Sequence, residues 1–264
     1  MTLLNKIYYV WRVVGTGFAF ALFGLGGPII AVGVSLIVLL TPTKASKCRM
    51  ARTAVRYAFK MYVRLLRVMG LLTFEVKGEE HIPTDGQLLI ANHPSLLDVV
   101  FLMSVVKDSS CIVKQGLFKN PFTRLPITAA KFICNGSSEL VDHSVDSLDT
   151  GTPLIVFPEG TRTVPGEPMR FQRGAANIAL AAKCNIVPAV IECHPATLIK
   201  NEKWYQVPKT PPHFTIEFRK PIEIQPYVEN DQPQCKTARV LTRDLVDYFT
   251  FATQPSAQGS NVMS

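Results

Sequence analysis

Asn92-His93-Pro94-Ser95-Leu96-Leu97-Asp98 is the stretch from which the rest of the chain can be read. It follows an apolar run, Gln87-Leu88-Leu89-Ile90-Ala91, with the character of a buried strand, and precedes Val99-Val100-Phe101-Leu102-Met103, which continues as an apolar helix. Pro94 suits a first helical turn, where its missing N–H is no loss. The pattern predicts a helix over 94–106, with His93 at the strand-to-helix junction and Asp98 about one turn in. Helical side chains lean toward the N-terminus, so Asp98 can reach back to His93. A carboxylate beside an imidazole fixes one tautomer and stabilises the imidazolium that forms when the ring takes a proton. The expected pair is a general base and its orienting partner, His93 and Asp98. Ser95 is the rival nucleophile, but no Gly-x-Ser-x-Gly elbow surrounds it, and its place after Pro94 suits a helix start. His143, His194 and the scattered carboxylates lack ligand spacing, so no metal site is expected.

A second stretch, Phe157-Pro158-Glu159-Gly160-Thr161-Arg162, follows the apolar run Pro153–Phe157. Open α/β sheets carry their sites at the C-terminal ends of strands, where both stretches fall. Gly160 permits close backbone approach, Thr161 adds a hydroxyl, and Arg162 offers a fork that matches phosphate or carboxylate. Glu159 could orient Arg162 or hold a substrate hydroxyl. Read alone, the same hexapeptide also fits a salt-bridged surface turn.

Further strands are expected at 73–77, 87–91, 111–114, 131–134, 153–157, 185–192 and 213–219, with helices at 94–106, 173–183 and 237–251. Alternation of this kind argues for an α/β domain, a mixed and largely buried sheet flanked by helices. Val13 to Leu40 contains no charged residue in 28 positions. That length can cross a hydrocarbon core of about 30 Å. Gly24, Gly26, Gly27 and Pro28 interrupt it, so one kinked spanning helix and a re-entrant pair, about 13–25 and 29–40, both remain open. A cleavable signal peptide is disfavoured by the length of the run and the basic segment after it. Next come Arg49, Arg52, Arg56, Lys60, Arg64 and Arg67 at steps of three and four. On a helix they lie within about 60° either side of one line, a basic stripe suited to anionic lipid.

The formal charge of +8 belongs to this N-terminal quarter: residues 1–74 hold ten basic residues and no acidic ones. The other eighteen basic residues face twenty acidic ones, which argues against a nucleic-acid-binding body. The six cysteines have no CxxC pair and several fall in apolar runs, as expected of reduced thiols. The expected organisation is a membrane anchor over 1–70, a catalytic domain over 71–252 and a disordered tail over 253–264. The positive-inside rule puts the domain on the cytoplasmic face of the inner membrane.

Asn-His-x4-Asp followed by Phe-Pro-Glu-Gly-Thr-Arg resembles the lysophospholipid acyltransferase family, of the 1-acyl-glycerol-3-phosphate acyltransferase type, over about residues 73–225. The resemblance implies a glycerolipid acyltransferase-like fold, His93 as general base and Asp98 as its orienting carboxylate. It implies that Glu159, Gly160, Thr161 and Arg162 bind the acyl acceptor, with Arg162 on its phosphate. Val113–Pro121 is similar to the block that carries an acceptor-binding lysine, here Lys114. Ile186–Ile191 is similar to an apolar block near the acyl chain, centred on Pro188. The run 171–176 also fits, and opens a helix whose N-terminus could hold an anion. The implied reaction moves a fatty acyl group from an acyl-CoA or acyl carrier protein thioester to a lysophospholipid hydroxyl, above all that of 1-acyl-glycerol-3-phosphate, giving phosphatidate. No metal or redox cofactor is implied. Asn135-Gly136-Ser137 stands where the family usually has an arginine, which leaves open a lyso-ornithine or polyene-type lipid acceptor. A non-catalytic membrane scaffold and a Ser95-dependent thioesterase are the rivals from other classes. The oligomeric state is not legible.

Overall fold

The computed structural model describes residues 3–41, 43–230 and 232–254. Two long helices lead, α1 (Leu3–Leu40) and α2 (Lys44–Val68). Then follow β1 (Thr73–Lys77), β2 (Leu88–Ala91), α3 (Asp98–Val105), β3 (Ser110–Val113), α4 (Gln115–Lys119), α5 (Pro121–Ala129) and β4 (Ile133–Cys134). The chain continues through α6 (Leu140–Asp149), β5 (Leu154–Val156), α7 (Gly174–Ala182), β6 (Ile186–His194), β7 (His213–Phe218), α8 (Gln225–Val228) and α9 (Gln234–Ala252). A 3₁₀ turn covers Glu79–His81.

The strands form one sheet in the order β1-β7-β6-β2-β5-β3-β4. β6, β2, β5, β3 and β4 run parallel, while β7 is antiparallel to β6 and β1 is parallel to β7. The sheet is mixed, as expected. Strand side chains alternate between faces, and here both faces are covered. Leu89, Ala91, Val187 and Ile191 pack with α2 and α3 through Val55, Val63, Phe101 and Met103. Leu88, Ile90, Leu154 and Val156 pack on the other side with α7 and α9 through Ile178, Leu241 and Phe249. Burial on both faces is why β2 and β5 read as unbroken apolar runs rather than alternating ones.

α1 runs as one helix with Pro28 inside it, rather than as two arms. Its segment Leu3–Ile30 is long and apolar enough to cross a membrane, and only 11% of the most apolar window is buried. Leu3, Ile7, Val10, Val14, Phe18, Leu25 and Ile29 are exposed. An apolar helix that leaves such a face uncovered associates with a membrane. Against the protein it is held by Trp11 Nε1 donating to the Met69 carbonyl (3.0 Å), Tyr62 Oη donating to the Ala19 carbonyl (3.2 Å), and Phe23 stacking on Phe59.

The basic stripe of α2 divides. Arg52 is buried and its Nε pairs with Asp108 at 2.7 Å, Arg49 lies 3.6 Å from the same carboxylate, and Arg56 donates to the Val105 carbonyl. These three turn toward the C-terminal end of α3, where a helix dipole favours cations. Lys60, Arg64 and Arg67 remain exposed beside Tyr57, Met61 and Val68. The outer face of α2 is therefore half basic and half apolar, not the uniform basic line expected. Of the tail expected over 253–264, Thr253 caps α9 by donating its backbone N–H to the Phe249 and Phe251 carbonyls, and 255–264 lie outside the described residues.

Candidate active site

The parallel pairing of β2 with β5 brings the two motifs together. Leu88 lies opposite Leu154 and Ile90 opposite Val156. Continuing that register past the strand ends sets His93 opposite Glu159. β6, on the other side, pairs Ala91 with Ala189. Beyond it, Asn92 extends the sheet with its side chain: Nδ2 donates to the Ile191 carbonyl and Oδ1 accepts from the Ile191 N–H, both at 2.8 Å. The residue before the histidine thus locks the strand end in place.

His93 Nδ1 lies 2.8 Å from Asp98 Oδ2. The same oxygen accepts the Ser95 N–H at 2.7 Å. An ionised carboxylate only accepts, so Nδ1 carries the ring proton and Nε2 presents a lone pair. The His93 side chain is 18% exposed, Asp98 is fully buried, and the imidazole rests on the Phe157 ring with centroids 4.4 Å apart. Burial pushes the Asp98 carboxyl up to about 6, against the opposing pull of His93 and the Ser95 N–H.

The helix begins at Asp98 rather than Pro94. Asp98 draws the Ser95 N–H into a tight turn that precedes the helix, so the pair forms across a turn and not along a helical face. Ser95 is fully buried, and its Oγ accepts weakly from the Leu97 N–H at 3.5 Å. Such a hydroxyl is a turn element and is not presented to a substrate.

Glu159 braces the backbone of His93 rather than Arg162. Its Oε1 accepts the His93 backbone N–H and the Thr163 hydroxyl, each at 2.9 Å, and Thr163 N–H donates to the His93 carbonyl at 2.7 Å. These contacts sew the histidine backbone to the turn after β5. Burial raises the Glu159 carboxyl above its ordinary range. Gly160 has φ +66°, and a Cβ there would stand 2.7 Å from Gln172 Nε2. Arg162 spends Nη1 on the Leu198 and Ile199 carbonyls, at 2.7 and 3.0 Å, which aims its remaining N–H groups. The Thr161 hydroxyl has no partner among the described residues.

Lys114 is exposed at the C-terminal end of β3, next in the sheet to β5. Strands lie about 4.8 Å apart, so it belongs to the same edge, about 10 Å along from the strand of His93. Asn135 follows β4 on that edge, its N–H donating to the Val113 carbonyl and its Oδ1 accepting from the Gln115 N–H at 3.1 Å. It supports the loop that carries Lys114 and adds no charge. Pro188 sits in the middle of β6, buried beside Ile90. Among the described residues, no cluster of histidine, cysteine and carboxylate groups could hold a metal ion. Thr163, Phe157, Asn92 and the Leu198 and Ile199 carbonyls were not foreseen as site elements. Asn92 alone carried a signal, as a polar residue ending an apolar strand.

The edge therefore combines an imidazole oriented by a buried carboxylate, a turn built on Glu159 and Gly160, and two cations, beside a membrane-associated helix. The general family model for acyltransferases matches residues 73–192. The chain is 30% identical over 173 residues to the 1-acyl-sn-glycerol-3-phosphate acyltransferase of Helicobacter pylori, covering 62% of this chain and 69% of that one. It is 27% identical over 144 residues to the enzyme of the same name from Pseudomonas aeruginosa, covering 52% and 56%. The crystal structure of the 1-acyl-sn-glycerophosphate acyltransferase PlsC from Thermotoga maritima superposes with a TM-score of 0.69 at 19% identity, over 93% of this chain and 98% of that one. The chain belongs to this acyltransferase family.

Proposed function

We propose that the protein transfers a fatty acyl group from an acyl thioester, on coenzyme A or acyl carrier protein, to the hydroxyl of 1-acyl-glycerol-3-phosphate, giving phosphatidate. The observation that carries this is the 2.8 Å contact of His93 Nδ1 with buried Asp98, which leaves Nε2, without a partner among the described residues, at the strand-end edge. Nε2 takes the acceptor's hydroxyl proton as its oxygen attacks the thioester carbonyl. The C–S bond breaks, the acyl–oxygen bond remains, and the imidazolium returns its proton to the leaving thiolate. Base catalysis of this kind contributes about 10²–10⁴-fold. Asp98 stabilises the imidazolium while it lasts. No acyl-enzyme forms, and no metal or redox cofactor enters the reaction.

Lys114 and the free N–H groups of Arg162 supply the charge for the acceptor phosphate, and Thr161 offers a hydroxyl beside them. The apolar wall that includes Pro188's strand is the side on which the acyl chain would lie. α1 holds this edge at the headgroup level, with the domain on the cytoplasmic face of the inner membrane, following the excess of positive charge in residues 44–67. Asn135, placed where a third cation would stand, favours one second reading: the same chemistry on a less highly charged acceptor, such as a lyso-ornithine or polyene-type lipid.

Thiol release from acyl-CoA and from acyl carrier protein, measured with a panel of acceptors, tests the reading. Release is expected to require an acceptor and to be fastest with lysophosphatidate. A preference for an uncharged or zwitterionic lyso-lipid would overturn the acceptor while leaving the His93 chemistry in place.

A further inference from the structure

Arg162 is aimed by the loop that joins β6 to β7, residues 195–212. Its Nη1 is spent on that loop, donating to the Leu198 carbonyl at 2.7 Å and to the Ile199 carbonyl at 3.0 Å. The Leu198 carbonyl also accepts the Leu96 N–H at 3.2 Å. Leu96 lies in the turn between His93 and Asp98, so one carbonyl ties the guanidinium to the turn that carries the imidazole. A carbonyl has two lone pairs, and both of these carbonyls use two donors: the Ile199 carbonyl takes the Glu202 N–H, at 3.2 Å, as its second.

The backbone that presents these carbonyls is not one the chain adopts unaided. Leu198 has φ +52° and Asn201 φ +66°, in the left-handed region that a Cβ disfavours. Such a conformation persists where its surroundings over-determine it. Glu202 supplies a clasp: its Oε2 accepts the Ile199 N–H at 3.1 Å while its own N–H donates to the Ile199 carbonyl. A carboxylate that reaches back three residues to a backbone N–H is half of a helix capping box, used here to close a turn. Beyond Glu202 the loop rests on α1, where Trp204 packs so closely on Gly17 that a Cβ there would stand 3.0 Å from the indole.

We propose that Glu202 is a positioning residue for the acceptor's phosphate. By locking the Ile199 turn it holds the Leu198 and Ile199 carbonyls on Arg162 Nη1, and the remaining N–H groups of the guanidinium meet the phosphate already oriented. The proposal deepens the function proposed above and rests on its lysophosphatidate acceptor. A guanidinium fixed before binding loses less freedom when the anion arrives, which tightens binding without speeding the chemical step. The direction of the effect is diagnostic. A carboxylate near a phosphate repels it, so removing its charge alone would tighten binding, whereas removing a clasp loosens it.

Thiol release by full-length protein in mixed micelles is measured against lysophosphatidate concentration. Glu202→Ala is expected to raise KM for lysophosphatidate at least about fivefold, with kcat within about threefold of the parent. Glu202→Gln keeps an oxygen for the Ile199 N–H and is expected to stay within about twofold of the parent in both. Glu202→Asp keeps the charge but is too short for the clasp; it is expected to follow Glu202→Ala, and serves if that variant does not fold. In an Arg162→Ala background the Glu202→Ala effect is expected to vanish, because Glu202 acts through Arg162. An unchanged or lowered KM in Glu202→Ala, a Gln variant as impaired as the Ala one, or the same rise without Arg162 would overturn the proposal. A parent that releases no thiol with lysophosphatidate would overturn the acceptor assignment and the proposal together, an outcome distinct from failure at Glu202 alone.

Discussion

At the scale of single residues, the site depends on a carboxylate that burial works against. Asp98 ionises near pH 3.8 when free and near 6 in the folded protein. Between those values the folded state holds a proton that the unfolded state has released, so this group's contribution to stability falls as pH rises through that window. Above about pH 6 the carboxylate is charged and can hold His93 in its working tautomer. Turnover is therefore expected to rise with pH through about 6, and a rate profile measured in buffers from pH 5 to 8 checks this. Asp98→Asn keeps the shape but presents an amide. It should lose at least 10²-fold in turnover while its thermal midpoint, compared at pH 5 and pH 7, loses the component that declines with pH. Gly160 is constrained by both its φ and its neighbour Gln172. Gly160→Ala should cost about 1–2 kcal/mol from the left-handed backbone alone, read by denaturant unfolding.

At the scale of elements, α2 is fastened to α3 by Arg52 and Asp108, whose side chains are 10% and 28% exposed. Asp108→Ala leaves a buried guanidinium without its partner and should destabilise by about 1–3 kcal/mol. The double variant Arg52→Met/Asp108→Ala removes that orphan and should recover part of the loss, as thermal unfolding in detergent would show. The elements legible in the sequence are those with a simple apolar rhythm. β2 and β5 stand out because both their faces are covered and their residues are apolar without interruption, whereas β7 shows the alternation of a strand with one face buried. α6 was missed because its outward side is polar, Asp142, His143, Asp146 and Asp149 breaking up the few apolar positions that face the sheet. The start of α3 was placed four residues early because Pro94 suits a helical first turn, whereas the buried Asp98 carboxylate holds the preceding residues in a turn of their own. The inward rotation of Arg52 depends on Asp108 and that of Arg56 on the Val105 carbonyl, each some fifty residues on, and no local periodicity reports such partners.

At the scale of the whole molecule, a parallel register converts two distant motifs into one site: Ile90 opposite Val156 sets His93 opposite Glu159. The His93–Asp98 pair was legible because it is local. The clamps around it were not, because Thr163, which holds the His93 backbone, and the Leu198 and Ile199 carbonyls, which hold Arg162, arrive from elsewhere in the fold. The uncovered face of α1 makes the protein's attachment to the bilayer a property of its surface. Val14→Asp with Phe18→Asp should release much of it from liposomes in a flotation assay, each carboxylate costing about 3 kcal/mol near a helix centre in lipid. The central claim is that His93, and not Ser95, drives the transfer. It is tested most directly by acceptor-dependent thiol release from His93→Ala and Ser95→Ala proteins, purified side by side and shown by circular dichroism to be folded. The account predicts that His93→Ala loses 10²–10⁴-fold in kcat while Ser95→Ala stays within about tenfold of the parent. Retained turnover in His93→Ala, or an acyl adduct that disappears only with Ser95, would contradict it.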